Sequence, residues 1–214
     1  MAHNVHPKAY RLKNLSDWSS RWLDKKKIPQ YLEEDLRIRE TLSKKIGRLG
    51  LEKIEIERFP GKINIIISSA RPGLIIGRGG SGIEELKRDL EKKILTKAPR
   101  KEVKIEIKEV RDVWASAALS AQWIAQQIER RMPFRRVLKQ VLEKIMGSRQ
   151  VKGARVEVSG RLDGAEIARR EWLKRGNLPR QTIRADIDFA EDRAYCTYGV
   201  VGIKVWIYKG EKFE

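Results

Sequence analysis

One cysteine in 214 residues leaves no disulfide framework and no Cys-rich zinc module. Histidine is nearly as scarce. His3 and His6 have no Cys or acidic residue close by in sequence, so no metal site is expected there. Long apolar runs are also missing: the longest uncharged stretch, Val113 to Ile128, has 16 residues and includes Ser116, Ser120 and three Gln. That is too short and too polar to span a bilayer. The opening, Met1 to Pro7, lacks the apolar stretch of a signal peptide, so a cytoplasmic protein is expected. Acidic residues are outnumbered, 29 Asp+Glu against 47 Lys+Arg, which gives a net charge of +18. A hydrophobic content of 41% still suffices for packed cores, which excludes a disordered basic tail. At roughly 100–200 residues per domain, one large or two small domains are expected.

Such a charge calls for an anionic partner. From Arg130 to Arg180 there are 15 Lys+Arg and 5 Asp+Glu, a net +10, whereas residues 181–214 carry −1. The excess is focused, as a binding face requires. No single amphipathic helix with a bulky apolar side carries it, which favours nucleic acid over a membrane surface.

Hydrophobic periodicity divides the chain into an extension (1–28), a first unit (29–111) and a second (112–214). Leu36, Leu42, Ile46 and Leu49 predict a helix from Glu33 to Arg48, closed by Gly47 and Gly50. Ile54 and Ile56, then Ile63, Ile65 and Ile67, predict two strands in a hairpin turned at Phe59-Pro60-Gly61. Leu74-Ile75-Ile76 runs into a glycine cluster, Ile83 to Ile94 has helical spacing, and Val103, Ile105 and Ile107 alternate as a third strand. In the second unit a helix is expected from Val113 to Met132 and another from Phe134 to Met146. The latter carries Phe134, Val137, Leu138, Val141, Leu142 and Ile145 as one buried stripe. Strands are expected around Ala154–Val158, Ile183–Ile187 and Ile203–Ile207, and a further helix from Ala165 to Lys174. The fold class is α+β in both units, the second being two helices packed on a small, mostly antiparallel sheet.

The cluster Gly77-Arg78-Gly79-Gly80-Ser81-Gly82 fits three templates. As G-x-G-x-x-G it lacks a strand running straight into Gly77, because Pro72 and Gly73 intervene. As a P-loop it has Ile83-Glu84 where Lys-Ser/Thr is required. The third template is the GXXG loop of a KH domain: Gly77, Arg78, Gly79 and Gly80. Glycines there let an RNA backbone approach, and the following helix offers its amides to phosphate. The order helix, strand, strand, helix, helix, strand is the type II KH order. A capping loop without RNA is the plain alternative.

A second candidate is the basic turn and helix with Arg130, Arg131, Arg135, Arg136 and Lys139, expected to bind phosphates in a salt-sensitive, largely sequence-blind way. Arg161 and Arg169 extend it, and Trp172 is expected to pack on the sheet. An ordinary solvated helix face is the alternative. No catalytic residues, cofactor, metal or small-molecule substrate are expected. Cys196 reads as a small buried residue, and Asp186, Asp188, Glu191 and Asp192 as salt-bridge partners rather than a nuclease Mg²⁺ site.

Over nearly its whole length the chain resembles the small-subunit ribosomal protein number three family in its bacterial form. The matching segments include Val5-His6-Pro7, Ala70-Arg71-Pro72-Gly73, Glu129-Arg130-Arg131 with Phe134-Arg135-Arg136, Gly153 to Arg161, Gly164 to Arg169, Arg184 to Asp188, and Thr197-Tyr198-Gly199-Val200. The resemblance implies a non-enzymatic protein in the head of the small ribosomal subunit. It would bind small-subunit ribosomal RNA and mRNA, touch small-subunit ribosomal proteins ten and fourteen, and lie near four and five where mRNA enters. Arg135, Arg136 and Lys139 would there help open structured message. A free-standing KH regulator of RNA is the alternative. Gly79 stands where the family loop often carries a basic residue, which leaves this loop less charged.

Overall fold

A computed structural model describes residues 5–12, 17–22, 24, 26–94 and 102–213. Two short elements come first, α1 (Pro7–Tyr10) and β1 (Ser20–Arg21). The chain forms two compact units. One is Trp18–Arg111, and the other joins Met1–Asp17 to Asp112–Glu214.

In the Trp18–Arg111 unit, α2 (Ile28–Ile46) has Pro in its first turn, where the missing N–H costs nothing. Its buried apolar residues are Ile38, Leu42 and Ile46, four apart. Leu36, expected in the core, is 58% exposed, because two positions of helix turn it to the opposite side from Ile38. The hairpin of β2 (Leu51–Phe59) and β3 (Lys62–Ser69) turns at Pro60-Gly61. Then follow α3 (Pro72–Ile76), α4 (Ser81–Ile94) and β4 (Glu102–Glu109), which pairs with β3 in parallel. The sheet order is β1-β2-β3-β4. Its core is rich in isoleucine: Ile54, Ile56, Ile63, Ile65 and Ile67 meet Ile38 and Leu42, with Ile75, Leu86 and Leu90 closing it.

An ion-pair network ties α2 to β2. Arg58 donates from Nε (2.9 Å) and Nη2 (2.5 Å) to Oδ1 of Asp35 and from Nη1 to Glu34, while Trp22 Nε1 donates to the other Asp35 oxygen at 3.0 Å. Buried charges persist only when satisfied in this way.

The second unit contains α5 (Ala117–Glu129), α6 (Phe134–Met146), β5 (Gly153–Gly160), β6 (Arg169–Gly176), β7 (Ala185–Cys196) and β8 (Gly199–Glu211). Its sheet is antiparallel throughout, in the order β6-β5-β8-β7. Two local expectations fail. The helix expected from Val113 begins as a 3₁₀ turn (Val113–Ala115), and the α-helix starts after Ser116, where the Asp188 carboxylate of β7 accepts the Ala117 N–H at 2.8 Å. The helix expected over Ala165–Lys174 is absent. Residues 169–176 form β6, laddered along β5 from Gly160↔Arg169 to Gly153↔Gly176. The charged segment has no helical stripe (Ile167 is 83% exposed), and pairing it covers an edge that β5 would otherwise leave open.

One face of this sheet packs Ala154, Val156, Val158, Ile203, Val205 and Ile207 against Ile124 of α5 and the α6 stripe. On the other face Leu178, Ile187, Phe189, Trp206 and Tyr208 form a smaller cluster, and the N-terminal segment meets that side. His6 stands edge-on to Phe189 with ring centroids 4.9 Å apart, and its Nδ1 accepts the Ala9 N–H. Buried Arg11 donates to the carbonyls of Pro7, Arg180 and Thr182. His3 lies outside the described residues.

Candidate nucleic-acid interface

The glycine loop sits on well-buried supports. Gly77 ends α3, donating its N–H to Gly73 O at 3.1 Å with φ 72°, and Arg78–Gly80 make one 3₁₀ turn before α4. The glycines serve two different purposes. A Cβ on Gly82 would stand 2.5 Å from Ile75 O, so Gly82 permits α3 and α4 to touch; a Cβ on Gly79 or Gly80 would meet nothing within 4 Å. Gly77, Arg78 and Gly79 are exposed, Gly80 is half-buried, and Leu74 and Ile76 flank the loop as exposed apolar residues above buried Ile75.

The second candidate surface begins where α5 ends. Arg131 N–H bonds Ile128 O at 2.9 Å and Met132 N–H bonds Gln127 O at 3.1 Å, with Arg131 at φ 62°. This is the Schellman closure that glycine usually makes. Pro133 then starts α6, and the buried stripe forecast from sequence forms as expected. That burial forces Arg135, Arg136 and Lys139 outward, and all three are exposed, as are Arg130 and Arg131.

Few carboxylates answer these charges. Arg135 Nη2 reaches Glu171 at 3.4 Å, and Arg169 Nε reaches the same carboxylate oxygen at 4.0 Å, so Glu171 of β6 links two of the candidate residues. Arg130, Arg131, Arg136 and Lys139 have no carboxylate partner among the described residues. Arg161, after β5, is held by its Nε on Ala165 O (3.0 Å) and Nη1 on Tyr198 O (3.4 Å). Arg131 and Arg161 line one cavity, together with Tyr198 and Cys196. Burial and the nearby Glu129 carboxylate push the Cys196 thiol up, away from reactivity. Trp172 is half exposed on β6, with the Arg155 guanidinium 4.3 Å from its ring centroid.

The acidic residues are occupied. Asp186 pairs with Lys212 (3.1 Å), Asp188 with Lys8 (2.8 Å) and Glu191 with Lys204 (3.3 Å), while Asp192 accepts the Arg193 N–H. Burial raises the Asp192 pKa. Among the described residues no group of three or more His, Cys, Asp and Glu is arranged to hold a metal. No described helix is long and apolar enough to cross a membrane.

Sequence reasoning does not reach Glu171, because its segment reads as a helix, or Tyr198, because a lone Tyr-Gly turn signals only a hairpin. The cavity gathers residues separated by up to about 70 positions, and no local pattern marks it.

Comparison with known proteins bears on both units. Residues 37–115 match the family model of the KH domain, and residues 124–207 that of the ribosomal protein S3 C-terminal domain. A small ribosomal subunit protein uS3 of Maridesulfovibrio salexigens is 48% identical over 213 residues, covering 99% of this chain and 96% of that one. The protein of the same name from Synechocystis sp. is 45% identical over 212 residues, covering 99% and 87%. That of Desulfovibrio desulfuricans is 47% identical over 214 residues, covering 99% and 96%.

Proposed function

The chain belongs to the uS3 family of small ribosomal subunit proteins, and from that premise we propose that it binds small-subunit ribosomal RNA and lines the channel through which mRNA enters. The family is structural rather than enzymatic. The observation that carries the reading is the face of α6 and its preceding turn. Burial of one stripe drives out a cluster of arginines and a lysine, and most of them lack a carboxylate. A solvated structural helix has no need of uncompensated like charge, whereas a phosphate backbone supplies the missing counter-charge and releases its own ions on contact.

In this reading Arg135, Arg136 and Lys139 meet message, and Arg130, Arg131, Arg161 and Arg169 meet RNA beside it. Gly77, Arg78, Gly79 and Gly80 receive a single-stranded backbone through shape more than charge. Residues 29–111 and 112–214 serve as the two working parts, with 1–28 as an extension. Small-subunit ribosomal proteins ten and fourteen are the neighbours, with four and five near the channel, all within the cytoplasmic ribosome.

Sedimentation of cell lysate through a gradient tests the assignment. The chain is expected in the small-subunit peak and to remain there at moderate salt. A chain found only in the slow, unassembled fractions would instead support a free-standing KH regulator.

A further inference from the structure

The second unit contains a cavity of about 620 Å³, within the range of roughly 300–1,000 Å³ typical of small-ligand sites. Buried Phe134 and Leu162 and half-buried Met132 line it, and exposed Arg131, Arg161 and Tyr198 stand with them. Among the described residues only Arg131 (φ 62°) and Asp163 (φ 52°) adopt positive φ without being glycine, and both line this cavity. Backbone held in a disfavoured region at one place suggests a function for that place.

Tyr198 is fixed although 61% exposed. The Arg161 guanidinium lies 5.7 Å from its ring centroid and also bonds its carbonyl, and Gly164 comes so close that a Cβ there would be 3.3 Å from the ring. The Arg131 side chain has no ion-pair partner among the described residues. Asp163 is the one carboxylate lining the cavity, against two guanidiniums.

We propose that this cavity receives one unstacked nucleobase of RNA, its ring against Tyr198 and its phosphate on Arg131. The apolar lining suits a flat aromatic guest, and the charge suits an anionic backbone better than a protein segment. The inference rests on the reading of this unit as RNA-binding.

The test is a cycle on the full chain, with binding read by fluorescence anisotropy. A single-stranded RNA of about ten nucleotides is compared with the same chain made abasic, for the wild type and for Tyr198→Ala. Bases bound at the glycine loop contribute equally to both proteins and cancel. The penalty for removing the bases is expected to be roughly tenfold smaller in Tyr198→Ala, the range of one lost stack. Tyr198→Phe is expected to restore the wild-type penalty, and Arg131→Ala to weaken intact and abasic RNA alike. An equal penalty in wild type and Tyr198→Ala, with RNA still bound, would overturn the pocket and leave the RNA-binding reading intact. Failure of the wild type to bind either RNA would overturn both.

Discussion

Replacing Arg131 by glycine separates the energetics of the fold from those of binding. Arg131 occupies the left-handed C-terminal position of α5, where its Cβ crowds the following carbonyl. That conformation costs an ordinary residue roughly 1–2 kcal/mol. Glycine avoids it but loses more backbone freedom on folding, about 0.5–1 kcal/mol. The two closing hydrogen bonds, to Ile128 O and Gln127 O, use main-chain donors and survive the change. The exposed guanidinium has no carboxylate to lose. Arg131→Gly is therefore expected to stabilise the unit by about 0.5–1 kcal/mol, a rise of roughly 2–4 °C in Tm. Arg131→Ala removes the same charge but keeps the Cβ, so it gains nothing. Both variants are expected to bind RNA more weakly, with the slope of log K against log salt reduced by about 0.7, one phosphate on a single strand. Thermal unfolding and salt titrations of the three proteins check this. If the glycine variant melted no higher than the alanine variant, strain at Arg131 would be refuted whatever happened to binding.

Other outcomes follow from the same geometry. Arg136→Ala with Lys139→Ala is expected to flatten the salt dependence of RNA binding by about 1.4 in slope while leaving urea unfolding unchanged, since both side chains are exposed and lack ion pairs. Gly82→Ala drives a Cβ to 2.5 Å from Ile75 O and is expected to destabilise the glycine-loop unit by about 1–3 kcal/mol in urea unfolding; wild-type stability would contradict the close approach of α3 and α4. His6 has its pKa lowered, first by burial and then by Lys8, so the fold favours its neutral form. Its contribution is complete above the ordinary imidazole value of about 6.5 and is lost as pH falls through the lowered one. His6→Gln is expected to remove that acid-side loss of stability, as followed by Tm against pH.

What could be read from sequence divides along physical lines. The stripe from Phe134 to Ile145 needed only the helical period, and the outward position of Arg135, Arg136 and Lys139 followed from it. The glycine loop was likewise local, because Pro72, Gly77 and the isoleucines around it are contiguous. β6 was not legible. Arg169-Arg170-Glu171-Trp172 carries no clear period, and its state is set by the strand it borders, which lies 9 to 23 positions away along the ladder. The same holds for the parallel pairing of β3 with β4, and for the Asp188 carboxylate that caps α5 from 71 residues away. Leu36 lies six positions before Leu42 and so falls off the stripe, which Ile38, Leu42 and Ile46 make at four-residue spacing inside the expected helix. The cavity depends on three separate turns meeting, and neither its volume nor its backbone strain has a signature in a single segment.

In the proposed function the exposed face of α6 works on RNA. Its most direct measurement is the passage of a message hairpin through ribosomes assembled with Arg135→Ala, Arg136→Ala and Lys139→Ala together. Progress through the hairpin is expected to slow while an unstructured message of equal length moves at the wild-type rate. Equal rates on both messages, from ribosomes that carry the variant protein in full amount, would rule out a role for this face of α6 in opening structured message.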